Sequence, residues 1–312
     1  MSSIPSRALF LRRRVRMGSQ SIANIIDKQD WIDATSDPVQ KLVKQTLRQS
    51  RPAKDFLHGT WLGHPLHPVL TDIPIGAWTL AMMLDAFEAM SGRAELRAGA
   101  DFAIGAGLLG AVGSAVTGLT DWSETDFRAK RVGFVHALFN IAATSLYTAS
   151  WIMRKRRSTR RSGVALSMIA YAVANGGAYL GGHLVYAEQI GVDHTATADA
   201  TKPEKFTTVM KVADLAEDKP TRVTAEGVAI VLVKRGERIY ALTATCPHLG
   251  GPLDEGKLVG DAIQCPWHQS KLALDDGHIV GGPTTFPARC FDVRVRLGAI
   301  QVRAGSKHAA GD

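Results

Sequence analysis

Long apolar runs with short charged interruptions dominate the chain from residue 68 to residue 182, and after residue 206 the pattern changes to short stretches in which apolar and polar residues alternate. Three of the long runs, 102–119, 132–153 and 163–182, contain no formally charged residue. A hydrocarbon core about 30 Å thick is crossed by about 20 residues of helix, so each run reads as a membrane span. A fourth, 68–90, has its uncharged part bracketed by Asp72 and Asp85. Beside the other three it reads as a span whose acids face the bundle interior, where partners can satisfy them. The joints, "SGRAELRAG", "TDWSETDFRAKR" and "RKRRSTRRS", are short and charged. Glycines crowd the second and fourth spans, and small residues let helices approach closely in lipid.

Before the spans, residues 20–50 repeat apolar positions at helical spacing: Ile22, Ile25 and Ile26, then Val39, Leu42, Val43 and Leu47. They are expected to form short amphipathic helices that lie on a membrane surface or pack on the protein itself. After the spans, residues 191–205 are polar and turn-rich and read as a linker, with His194 solvated within it. Residues 206–304 then alternate apolar with polar as half-buried antiparallel strands do. The expected fold class is therefore α + β in separate domains. A basic, partly amphipathic segment (1–57) precedes a four-helix transmembrane bundle (58–190). The linker (191–205), an all-β domain (206–304) and a tail (305–312) follow.

Composition sharpens the picture in a few places. The 312 residues carry a net charge of +8, and the 46% apolar content averages two unlike halves. Basic residues cluster between Arg7 and Arg16. No nucleic-acid motif accompanies them, so nucleic acid is not an expected partner. The neighbouring apolar spans make the lipid bilayer, with its anionic headgroups, the better one. The basic run has no apolar core after it and is not a signal peptide. Counting Lys and Arg beside the spans ties for the two faces. A long basic N-terminal tail is hard to export, which favours both termini, and with them the β-domain, on the cytoplasmic side. The three cysteines cannot build a disulfide framework. Cys290, in "ARCFDV", alternates with apolar residues and reads as a small buried hydrophobe.

Histidines gather at one membrane face. His64 and His67 each precede a proline, which disfavours helix at the histidine and offers both from a loop. His136 lies early in the third span and His183 ends the fourth, so four spans bring all of these to one side. His136, Asn140, Thr144, Tyr147 and Trp151 form one stripe at helical spacing, expected to face the bundle interior. Imidazoles at one depth can ligate haem iron or a divalent metal, can hydrogen-bond a quinone, or can simply bond to the backbone and hold the bundle together. Haem b or quinone are the cofactors considered for His64, His67, His136 and His183. The stretch Gly63-His64-Pro65-Leu66-His67-Pro68 resembles the G-H-P-x-H-P signature of a bacterial family of predicted four-span membrane domains, over about residues 58–190. The resemblance implies a multi-pass protein of the bacterial cell membrane and lends no activity.

The densest chemistry lies in "TCPHLGGPLDEGKLVGDAIQCPWHQS", where Cys246-x-His248 is followed by Cys265-x-x-His268. Two cysteines and two histidines suit tetrahedral zinc. One cysteine and one histidine from each loop also suit a two-iron, two-sulfide centre with sulfur ligands on one iron and nitrogen ligands on the other. The residues resemble those of Rieske-type [2Fe–2S] domains: Cys246 to Gly251 the first cluster loop, Cys265 to Ser270 the second, and Gly281-Gly282-Pro283 the covering third loop. By that resemblance Cys246 and Cys265 bind one iron, His248 and His268 the other, and Ser270 supplies a hydrogen bond to sulfur. High-potential relatives have a disulfide between the two loops and a tyrosine two residues after the serine. Gly251, Trp267 and Leu272 stand at those places here. With one donor fewer, the potential is expected near the low end of the Rieske range, about −150 mV.

No nucleophile, paired-carboxylate or phosphate-loop motif is present, so a stand-alone catalyst is not expected. The sequence reads as a membrane-anchored electron carrier working between donor and acceptor proteins that it does not identify. A haem- or quinone-binding oxidoreductase subunit and a redox sensor are the other readings. Nothing in the sequence fixes the oligomeric state.

Overall fold

The computed structural model describes residues 22–196 and 201–305. The basic cluster between Arg7 and Arg16, the middle of the linker and most of the C-terminal tail lie outside the described residues. The chain divides into two units: Met1–Gln49 with His67–Ile190, and Ser50–Leu66 with Gly191–Asp312. The helices are α1 (Asp30–Arg48), α2 (Arg51–His58), α3 (Leu66–Ser91), α4 (Leu96–Trp122), α5 (Phe127–Arg154) and α6 (Arg160–Tyr186). All but α2 belong to the first unit.

Helices α3 to α6 are each long and apolar enough to cross a membrane, and each contains one of the expected spans. Glycine sets how closely they pack. A Cβ on Gly107 would lie 2.2 Å from the Trp78 indole, and one on Gly110 would lie 2.6 Å from Ile73. The space goes to Trp78, whose ring stacks on Tyr147 at 4.1 Å between centroids. Asp85 is buried and takes both terminal nitrogens of the Arg154 guanidinium. Arg154 also reaches the Ser167 hydroxyl at 2.7 Å, and Arg160 binds Asp101. A charge inside a bundle persists only when paired in this way. Asp72 departs from expectation and lies on the exposed face. Thirteen residues separate it from Asp85 in sequence, and at 3.6 residues per turn that puts the two on nearly opposite sides of α3.

Helix α1 packs on the protein. Ile32, with Ala23 and Ile26, is buried against Val132 and Leu180. Asp33 pairs with Lys130 and Arg131, and the Gln40 amide donates to the Trp122 and Thr125 carbonyls.

Among the described residues the second unit holds ten strands: β1 (Thr207–Lys211), β2 (Thr221–Ala225), β3 (Val228–Arg235), β4 (Arg238–Thr243), β5 (Lys257–Val259), β6 (Ala262–Gln264), β7 (Lys271–Ala273), β8 (Ile279–Gly281), β9 (Phe291–Arg296) and β10 (Ala299–Ala304). They form three antiparallel sheets, ordered β1-β10-β9, β2-β3-β4 and β5-β6-β7-β8. Strand β3 (Val228–Arg235) shows how alternation builds two cores. Val231 and Val233 face one cluster, with Leu242, Ile263, Leu272 and both ligand-candidate cysteines. Ile230 and Leu232 face the other, with Phe291, Ile300 and Val302. Successive side chains of a strand point to opposite faces, so one strand serves both. The stretch expected to be a linker is tied to this unit. The His194 N–H donates to the Pro247 carbonyl at 3.0 Å and the Ala304 N–H to that of Pro203 at 2.8 Å. Arg289 reaches the Lys202 carbonyl. Its bonding partners come from distant segments, which local composition does not reveal.

Candidate metal centre

Two loops of similar construction carry the four candidate ligands. The first follows β4 (Arg238–Thr243). It closes on itself as the Gly250 N–H donates to the Cys246 carbonyl at 3.0 Å and the Cys246 N–H to the Gly251 carbonyl at 2.8 Å. Gly250 adopts φ +77°, a left-handed turn that glycine enters at no steric cost. The second loop joins β6 (Ala262–Gln264) to β7 (Lys271–Ala273). Here the Cys265 N–H donates to Ser270 and the Gln269 N–H returns to Cys265. Tight closure turns amides towards the sulfurs. The His248 N–H and the Ser270 side chain bond Cys246, and the Trp267 and His268 N–H groups bond Cys265. Both cysteines are 1% exposed. A Cβ on Gly251 would stand 2.8 Å from the Cys265 sulfur and 3.1 Å from the Trp267 ring, so with Trp267 opposite, a side chain there would force one of them to shift.

The sulfurs hydrogen-bond each other. That bond, helped by the Trp267 and His268 amides, pulls the Cys265 thiol down to about 6 against its burial. The same bond and burial push Cys246 up. Burial, then the neighbouring His268, His58, His194 and Lys54, holds His248 well below the usual imidazole range. It is therefore neutral, as a metal ligand must be. His248 Nδ1 is buried with no hydrogen-bond partner among the described residues. A buried lone pair left unmet is costly, and an iron ion held there would meet it. The His248 and His268 rings lie 5.0 Å apart. An imidazole nitrogen binds a metal at about 2 Å, which sets the ring centre roughly 3.2 Å from the ion; 5.0 Å between centres then subtends roughly 100° at one metal. Both rings therefore suit one ion.

The spread of the four ligands speaks against a single zinc. Among the described residues, only Asp275, Asp276 and His278 form a group of three or more donor atoms all within 4.8 Å of one another. The four loop residues supply no such group, as would hold for ligands shared between two metals bridged by sulfide. The residues fit a [2Fe–2S] group.

A third segment covers the loops. β8 (Ile279–Gly281) runs into Gly282 and Pro283, and the Thr284 N–H donates to the Ser270 hydroxyl at 3.1 Å. Helix α2 docks here. Arg51 donates to the Gly282 carbonyl at 2.6 Å and to that of Gln269 at 3.1 Å, while Asp55 accepts from the Gly282 N–H at 3.1 Å. His58 is buried. Sequence reasoning missed Arg51, Asp55 and His58. Ser50 and Pro52 are readable helix-start signals, but nothing local says which unit the helix joins. Leu272, in the tyrosine's place, is fully buried in the core and offers no donor.

Of the four bundle histidines, two come together. His67 and His136 stand 6.5 Å apart, centre to centre, with planes at 89°. His67 Nδ1 bonds the Ser114 carbonyl at 2.8 Å, and His136 Nδ1 that of Gly177 at 2.7 Å. His183 Nε2 instead meets Glu188 at 3.1 Å. His64 belongs to the second unit and is exposed.

Comparison with known proteins agrees with both halves. The family described as "Predicted membrane protein (DUF2231)" matches residues 63–194, and the "Rieske [2Fe-2S] domain" matches residues 205–292. Ferredoxin CarAc of Metapseudomonas resinovorans is 36% identical over 100 residues, 32% of this chain and 92% of that protein. The anthranilate 1,2-dioxygenase ferredoxin subunit of Burkholderia cepacia is 27% identical over 94 residues, covering 30% of this chain and 87% of its own. Among solved structures, the ferredoxin of carbazole 1,9a-dioxygenase from Nocardioides aromaticivorans IC177 is 26% identical with a TM-score of 0.31, over 32% of this chain and 99% of that one. Through its β-domain the chain belongs to the Rieske [2Fe–2S] family, in the ferredoxin group, and it carries that domain behind a four-helix predicted membrane domain.

Proposed function

We propose that the protein is a membrane-anchored electron carrier. It passes single electrons between a soluble redox partner and an acceptor or donor site in or beside the bundle. The observation that carries this reading is the set of candidate ligands: two buried sulfurs, two imidazoles 5.0 Å apart, and a buried His248 nitrogen with no hydrogen-bond partner among the described residues. Cys246 and Cys265 would hold one iron, His248 and His268 the other. When bound, the cluster takes up and releases one electron at a time near neutral pH. The chain's own residues set the terms. Backbone amides and Ser270 stabilise negative charge on sulfur, and the close-packed core of Val231, Leu242, Ile263 and Leu272 keeps water away. Trp267, 56% exposed beside His268, gives a partner a flat apolar contact. Since relatives that match over most of their own length are ferredoxins, one of them named for a dioxygenase, a reductase or oxygenase component is the partner class that fits.

The proposed setting is the bacterial cell membrane, with the β-domain cytoplasmic. The test is anaerobic purification in detergent, followed by metal and sulfide analysis. About two iron and two acid-labile sulfides per chain, and a reduced-state EPR signal, are expected. Cys265→Ser should abolish all three. One zinc per chain and no labile sulfide would overturn the proposal.

A further inference from the structure

We propose that His67 and His136 are the two axial ligands of a haem iron held inside the four-helix bundle. This deepens the electron-carrier reading by naming the chemical class of the membrane site, and it rests on that reading only for what the site is used for.

Distance makes the first argument. Two rings that bind one ion from opposite sides have centres separated by roughly twice 3.2 Å, and the rings here are 6.5 Å apart. The cluster histidines, at 5.0 Å, are spaced for adjacent positions on one metal; the bundle pair is spaced for opposite ones.

The second argument is protonation. A backbone carbonyl only accepts, so the Nδ1 atoms on Ser114 and Gly177 each carry the proton. Each Nε2 therefore keeps its lone pair. Metal-bound histidines are fixed in this way by a bond from the other nitrogen. A quinone carbonyl also only accepts, and finds no donor on either Nε2. The Asn140 amide stands 3.1 Å from His136 Nε2 and 3.4 Å from Nδ1. Near-equal distances to both nitrogens put it over the ring face, off the lone-pair axis, and it donates to the His136 carbonyl at 2.9 Å.

The third argument is the ligand count. No third His, Cys, Asp or Glu joins this pair in a compact donor group among the described residues. A bare divalent ion asks for three or four ligands. A porphyrin brings four of its own and needs only the two axial ones. Glycine makes room for both rings. A Cβ on Gly118 would lie 2.7 Å from His67 Cε1, and one on Gly181 would lie 3.1 Å from His136 Cε1.

The test uses the full-length protein, produced with added haem precursor and purified in detergent. Pyridine-haemochrome assay and optical spectra of the oxidised and reduced forms report haem, and EPR reports the cluster in the same sample. The expected result is about one haem per chain, six-coordinate and low-spin. His67→Gly and His136→Gly should each lose haem or turn it high-spin, with added imidazole restoring the low-spin spectrum. His64→Ala and His183→Ala should leave it unchanged, and the cluster signal should persist in all four. A protein with an intact cluster and no haem would overturn this inference and leave the electron-carrier reading standing. So would a low-spin haem indifferent to both His67 and His136. Loss of the cluster signal from the unaltered protein would instead count against the electron-carrier reading.

Discussion

Ser270 stands between two loops, and its hydroxyl serves both. It accepts from the Thr284 N–H and bonds the Cys246 sulfur. A donor to sulfur stabilises the more negative, reduced state. A hydrogen bond to a charged group is worth about 1.5–3 kcal/mol, of which only the difference between redox states is felt. At about 59 mV per tenfold change for one electron, Ser270→Ala should lower the potential by roughly 50–100 mV with iron content unchanged, as a redox titration would show. The unaltered protein should titrate near −150 mV, because Leu272 contributes no second hydroxyl; a midpoint near +250 mV would refute that account. The cysteines make a second prediction. Burial pushes the Cys290 thiol up to about 12, so at pH 8 only about one molecule in ten thousand carries the reactive thiolate. Maleimide at pH 8 should spare Cys290 in the folded protein and modify Cys265 once a chelator has removed the metal, read by peptide mass spectrometry. The two candidate ligand loops were legible in sequence because their pattern is local: Cys246-x-His248 and Cys265-x-x-His268. Arg51 and Asp55 were not, since they act through backbone atoms more than two hundred positions away.

Helix α2 is short and owes its place to those contacts. Ser50 caps it, accepting from the Ala53 N–H, and Arg51 and Asp55 grip one peptide of the covering loop. Arg51→Ala together with Asp55→Ala should leave the cluster assembled but shorten its half-life under chelator several-fold, followed by the decay of its visible absorbance. Helix α1 is held by charge. Arg131 and Lys130 keep the Asp33 carboxyl below its usual range. A depressed carboxylate stabilises the fold above the ordinary carboxylate pKa, and that contribution fades as pH falls through the folded-state value. Hydrogen exchange in α1 should therefore be slow at pH 7 relative to the intrinsic rate and lose protection below about pH 4. Asp33→Asn should show reduced protection already at pH 7 and a flatter acid profile. Spans and strands were readable because periodicity is a property of the element itself: 3.6 residues per turn in α4, two per repeat in β3. The pinning of His194, Lys202 and Pro203 depends on Pro247, Arg289 and Ala304, and no element announces its distant partner. Asp72 shows the limit inside an element, where helical phase rather than charge decided which acid faced inward.

Four candidate spans are an even number, so if each one crosses, the chain enters and leaves the bundle on one side of the membrane. Reporter tags placed at the two termini should be equally protected from, or equally open to, protease in sealed vesicles of known orientation. Opposite protection would remove one span from the reading. The two halves were separable in sequence by composition alone, but the boundary was not, since Ser50–Leu66 joins the β-rich unit from the far side of the bundle in sequence. That discontinuity fixes an order of manufacture. Synthesis runs from the N-terminus, so the ribosome releases Arg51 and Asp55 first, then four hydrophobic segments, and only afterwards the loop they clasp. The pocket that Arg51 and Asp55 help to close is therefore complete only after all four long apolar helices have been synthesised.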